Sequence, residues 1–182
     1  MASKAKCALV NAFLELTKSE RYEKITVTSL VEKCSISRQT FYYHFNDIHE
    51  MLKWAFESET EAICQNQTEG NWIESAKLYT DFLYRYDSLI RGAAKSTDFI
   101  LIFNLLSKSF ETYINSYLSK KRKNHNLINR DYGFLIHCMS LSYTGLIVEE
   151  IQKEESDYEA VLKEIFKASS KFLTTKKETA VF

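Results

Sequence analysis

An all-α fold follows from three observations: the 182-residue sequence contains no proline, it contains only four glycines, and apolar residues recur at helical spacing through nearly all of it. Proline removes a backbone donor and glycine adds backbone entropy, so a chain almost free of both has few interior helix stops. With 45% hydrophobic and 26% charged residues, it has the composition of a globular protein with enough apolar side chains for a sizeable core. The spacing of Cys7, Cys34, Cys64 and Cys138 matches neither a Cys-x-x-Cys metal motif nor a small secreted disulfide scaffold, so reduced structural cysteines are expected. No apolar run approaches the roughly 20 residues that span a bilayer, and the expected location is the cytoplasm, with no membrane partner.

The first helix is read from Ala5, Leu9, Ala12, Phe13 and Leu16, which share one face, and it ends near Lys18. Thr26 is positioned to cap a short second helix over Val27 to Cys34. Ser35-Ile36 makes a tight connection, and Ser37 caps a third helix that runs to about His44. Asp47 and Glu50 have the spacing of a capping box, opening a fourth helix with an apolar stripe of Ile48, Met51, Leu52, Ala55 and Phe56, ending near Asn66. Asn71 and Glu74 suggest a second box before a helix from Trp72 to Tyr86, followed by a short helix from Asp87 to Lys95. Phe99 to Leu118 reads as a long helix closed by the basic run from Lys120 to Asn126, a solvated loop. Two more long helices follow, Asp131 to Lys153 and Ser156 to about Thr174, the last opened by Ser156 and Glu159 in capping-box register. The division at residue 50 separates an N-terminal unit (1-50) from a helical body (51-182).

Three short helices with a tight turn before the third form a helix-turn-helix, in which the third helix enters the major groove of DNA. On that helix Ile36, Phe41 and Phe45 fall on one side as anchors, and Arg38, Gln39, Tyr42 and Tyr43 on the other. The segments Thr26-Val27-Thr28-Ser29-Leu30 and Cys34-Ser35-Ile36-Ser37-Arg38-Gln39-Thr40-Phe41-Tyr42-Tyr43-His44-Phe45 resemble the signature of the TetR family of bacterial transcription regulators. The resemblance covers about residues 5 to 56; its Ser-Arg-Gln-Thr-Phe-Tyr stretch, with the chain length, looks like the branch that contains dihydroxyacetone-kinase operon regulators. It implies an all-α protomer of about nine helices, a body that binds a small-molecule effector, and a homodimer formed through the last two long helices. It further implies a transcription regulator on double-stranded operator DNA; repression is the expectation, and the sequence leaves activation open. Two positions depart from the pattern: Ser35 stands where the family's turn has glycine, and Ile48 where many relatives have a lysine on phosphate.

Arg38 and Gln39 are the candidates for base contact, because Arg fits guanine O6/N7 and Gln fits adenine N6/N7 bidentately. Thr28, Thr40, Tyr42, Tyr43 and His44 suit phosphate contacts, which set register and affinity without reading sequence. The first 50 residues hold seven Lys or Arg against six Asp or Glu, and the whole chain is neutral, so any DNA footprint depends on arrangement, with Lys4 and Lys6 as further contributors. In the body, Tyr79, Phe82, Tyr86, Phe103, Phe110, Tyr113, His137 and Tyr143 are the candidate lining of an effector pocket; aromatics at helical spacing are equally the material of a core. Small residues Ser140, Ser142 and Gly145 suggest close approach of a second copy. No zinc pair, phosphate loop or Glu-x-x-His set is present, so neither an enzyme nor a cofactor or metal site is expected. The alternative function is a TetR-like coregulator that acts through a partner protein and binds DNA weakly.

Overall fold

The apolar stripes of the sequence close against one another as helices. The structure, a computed structural model, describes residues 4–67, 72–121 and 130–174. Among the described residues it comprises α1 (Lys4–Ser19), a 3-10 turn (Tyr22–Lys24), α2 (Val27–Cys34), α3 (Arg38–His44), α4 (Ile48–Asn66), α5 (Trp72–Ala93), α6 (Phe99–Lys121), α7 (Arg130–Glu150) and α8 (Tyr158–Thr174), with no strand. These are nine helical elements, divided differently from the sequence reading: the helix expected at 87–95 is instead the end of α5. Asp87 does not interrupt that helix, because its carboxylate accepts from Arg91 Nε one turn ahead at 2.7 Å and from the Tyr158 hydroxyl of α8.

Caps set the helix starts. Thr26 Oγ1 accepts from the Ser29 amide at 3.2 Å, while Ser29 Oγ accepts from the Thr26 amide at 3.0 Å, a reciprocal box that opens α2. Ser37 Oγ accepts from the Thr40 amide at 3.1 Å and opens α3. Asp47 caps α4 through the Glu50 amide at 2.7 Å, but Glu50 reaches one residue beyond the expected box, to the amide of Asn46 at 2.7 Å. At α8 the cap is Asp157, whose Oδ1 accepts from the Ala160 amide at 2.9 Å; Ser156 is drawn away by Arg91, which donates to its hydroxyl at 2.5 Å. The expected Asn71–Glu74 box lies outside the described residues.

Two cations close helix C-termini, where carbonyls lack partners within the helix. Lys120 of α6 donates to the carbonyls of Cys64 and Gln67 at the end of α4, at 2.5 and 3.2 Å. The basic run therefore begins inside α6 rather than in a loop. Arg91 of α5 does the same at the end of α7, donating to the carbonyls of Ile151 and of Lys153, the latter at 2.8 Å.

A single cluster of buried apolar residues extends from Leu9 of α1 to Leu162 of α8. Helix α6 packs between α4 and α7, and α5 packs on α1 and α8. Gly92 allows the closest approach: a Cβ there would lie 2.7 Å from Cβ of Tyr22, so any side chain would push α5 off the 3-10 turn. Ser140 faces inward, not toward a second copy; it is fully buried, and its hydroxyl lies 3.2 Å from that of Ser107 on α6. No helix among the described residues is long and apolar enough to cross a membrane.

Candidate nucleic-acid interface

The turn before α3 has the geometry its sequence demands. Ser35 is the one non-glycine residue with positive φ among the described residues, at φ 53° and ψ 43°. Its amide reaches the carbonyls of Glu32 and Val31, and the Ile36 amide reaches Val31 at 3.0 Å, which together form a Schellman ending to α2. Ile36 then packs against the core, fixing the direction in which α3 leaves the turn.

The two faces of α3 separate cleanly. Phe41 and Phe45 are buried, their rings 6.0 Å apart, and Phe45 meets Trp54 of α4 at 5.8 Å. Lys6 of α1 caps this aromatic pair, its ammonium 4.8 Å from the Phe45 ring and 5.2 Å from the Trp54 ring, so it is committed to a cation–π contact. On the outer face, Arg38 and Gln39 are exposed, Tyr42 is 56% exposed and Tyr43 is 84% exposed.

Polar groups on this face are already oriented. Arg38 Nη2 donates to Thr28 Oγ1 at 2.5 Å, which joins the start of α3 to the first turn of α2. Thr40 shares a hydrogen bond with Ser37 at 2.9 Å within the cap of α3. His44 is half-buried with its ring edge-on to Tyr43 at 5.0 Å. Ile48 packs against the core beside α1 and the 3-10 turn, and it presents no cation at the start of α4.

The candidate pocket residues fall into two groups. Tyr79, Phe82, Tyr86, Phe110, Tyr113 and Tyr143 are all buried and form one aromatic cluster, with Phe110 and Tyr143 stacked at 3.8 Å and Tyr79 in contact with Phe82, Phe110, Tyr113 and Tyr143. Tyr79 donates to Ser109, whereas the hydroxyls of Tyr86 and Tyr143 have no hydrogen-bond partner among the described residues. Burial raises the phenols of Tyr79, Tyr86, Tyr113 and Tyr143 well above their ordinary range, because it disfavours the charged form. Phe103 is half-buried beside Phe99, and His137 is exposed, its Nδ1 3.9 Å from a Glu111 carboxylate oxygen. Both stand apart from the cluster. No group of three or more His, Cys, Asp or Glu residues among the described residues is arranged to hold a metal.

No protein-family model matches the chain. Over 76 residues it is 33% identical to the HTH-type dhaKLM operon transcriptional activator DhaS of Lactococcus lactis subsp. lactis (strain IL1403), a match that covers 41% of each protein. A solved structure of a dihydroxyacetone kinase operon activator DhaS superposes with a TM-score of 0.70 at 17% identity, covering 91% of this chain and 96% of that one. The chain thus has the fold of the operon activator DhaS.

Proposed function

We propose that the chain is a sequence-specific DNA-binding transcription regulator whose α3 is inserted into the major groove of an operator. The observation that carries this reading is the outer face of α3, where Arg38, Gln39, Tyr42 and Tyr43 stand open over a helix anchored by buried Phe41 and Phe45. Arg38 and Gln39 read base edges. Tyr42, Tyr43 and His44 contact phosphates, and the first turns of α2 and α3, with Thr28 and Thr40, face the backbone of the duplex. Two such heads act in a cytoplasmic homodimer formed through α7 and α8, and an effector of unknown identity binds in the body near the buried tyrosines. The relatives are named activators, which favours activation over the repression expected from the sequence.

Ile48 favours a second reading. With an apolar side chain packed inward at the start of α4, one phosphate contact is missing, as in a coregulator that relies on a protein partner. Titrating the full chain against its own upstream region and a scrambled duplex at two salt concentrations separates the two. Preference for the upstream region supports the first, and equal weak binding to both supports the second. Transcription that falls when the gene is deleted shows activation; transcription that rises shows repression.

A further inference from the structure

Tyr22 and His49 flank the segment 26–45 that contains α2 and α3, and both meet a single carboxylate of the body. From the 3-10 turn, Tyr22 donates its hydroxyl to Asp98 Oδ2 at 2.8 Å. From the first turn of α4, His49 Nε2 lies 3.0 Å from the same oxygen. Asp98 immediately precedes α6 and is tied into the α5–α6 corner: its amide donates to Ser96 Oγ at 3.1 Å, and its carbonyl accepts from the Ile102 amide at 3.1 Å. Ser96 in turn donates to the carbonyl of Ala93, the last residue of α5. The Tyr22 ring has little freedom, with Phe13 edge-on at 6.0 Å on one side and Gly92 in close contact on the other. Beside this junction lies a cavity of about 220 Å³, bordered by Ile25, Ile48, Thr97 and the three residues of the junction.

We propose that Asp98 is a positioning residue for DNA binding, the joint through which the α5–α6 corner sets the orientation of the reading unit by gripping both of its ends. The proposal rests on the DNA-reading function above. Hydrogen bonds to a charged oxygen are stronger than neutral ones, and because both meet on one oxygen, the two ends of the reading unit are tied to each other as well as to the corner. A displacement of the corner therefore carries Tyr22 and His49 together and moves α3 as a unit without unfolding it. The adjacent cavity supplies the space for that displacement. A ligand or partner that moves the corner biases the head in the same way.

The test uses the full-length chain with clickable spin labels at Gln39 on α3 and Lys108 on α6, both exposed, diluted into unlabelled protein and measured by pulsed dipolar spectroscopy without DNA. The expected result is one narrow distance in the parent protein. Asp98→Ala and the double variant Tyr22→Phe/His49→Gln should each broaden it, and the three changes together should add nothing more. Operator affinity should fall about tenfold where the competent orientation drops to about a tenth of the population. An unchanged narrow distance in folded Asp98→Ala overturns the proposal, as does broadening that adds across the three positions. Should Asp98→Ala fail to fold, the Tyr22→Phe/His49→Gln variant, which keeps the buried ring, decides in the same way. Broadening with parental operator affinity overturns the positioning role, whereas a parent protein that binds all duplexes alike removes the DNA-reading function and leaves the joint.

Discussion

Arg38 and Tyr42 are four positions apart on one short helix, and the proposed function gives them different tasks because the chemistry of their ends differs. A guanidinium presents two parallel donors that match guanine, so Arg38→Ala should cost about 1 to 3 kcal/mol on the cognate operator and relax preference at one base pair. Loss of the same factor on cognate and scrambled duplexes would make Arg38 a phosphate ligand instead. A phenol hydroxyl on phosphate carries no base information, so Tyr42→Phe should weaken binding to both duplexes alike. Ser35 makes a separate prediction about folding. Its φ of 53° places a Cβ in the left-handed region, and Ser35→Gly should stabilise the chain by about 1 kcal/mol, seen as a melting temperature higher by about 2–4 °C. An unchanged or lower melting temperature would show that glycine's extra freedom in the unfolded chain outweighs the relief.

Helix α3 depends on its packing, since seven residues cannot hold a helix by backbone hydrogen bonds alone. Phe41→Ala should therefore lower unfolding free energy by about 3 to 5 kcal/mol in a denaturant titration, with loss of DNA binding following from loss of fold. The starts of α2, α3 and α4 were legible in the sequence because Thr26, Ser37 and Asp47 each act on an amide three residues ahead. The start of α8 was not, because Ser156 has the right spacing but is held by Arg91, a residue 65 positions away. The single length of α5 was equally hidden, since Asp87 looks like a helix opener until Arg91 and Tyr158 occupy its carboxylate. The exposed face of α3 could be assigned from local periodicity, whereas the junction at Asp98 could not: its partners Tyr22 and His49 are 76 and 49 positions distant, and nothing local marks any of the three. The joint between α7 and α8 should respond to acid. Lys153 and the Asp157 amide hold the Glu150 carboxyl below its ordinary range, so its contribution is present at neutral pH and is lost as pH falls through that lowered range. Hydrogen exchange at 151–158 should rise there, and Glu150→Gln should abolish the acid dependence.

At the scale of the molecule, α7 presents an apolar stripe that the described residues leave open. Phe134 is 70% exposed, Leu141 and Leu146 are partly open, and a Cβ at Gly145 would meet nothing within 4 Å. A second copy covering this stripe is the expected occupant, and light scattering should report twice the chain mass. Leu141→Glu should then give monomers at micromolar concentration with little change in helix content; a dimer that persists would place the interface elsewhere. An effector bound in the body should raise the melting temperature and alter operator affinity together, because the two are thermodynamically linked. The buried tyrosines at the centre of that body have an optical consequence. Their phenols stay neutral while enclosed and release protons at the ordinary value once the chain opens, so the stability they lend is full below the ordinary phenol range and is lost progressively as pH climbs from there through their raised range. Phenolate absorbance from Tyr79, Tyr86, Tyr113 and Tyr143 should consequently appear in one cooperative step that coincides with loss of helical ellipticity, making these four side chains a built-in spectroscopic gauge of alkaline unfolding.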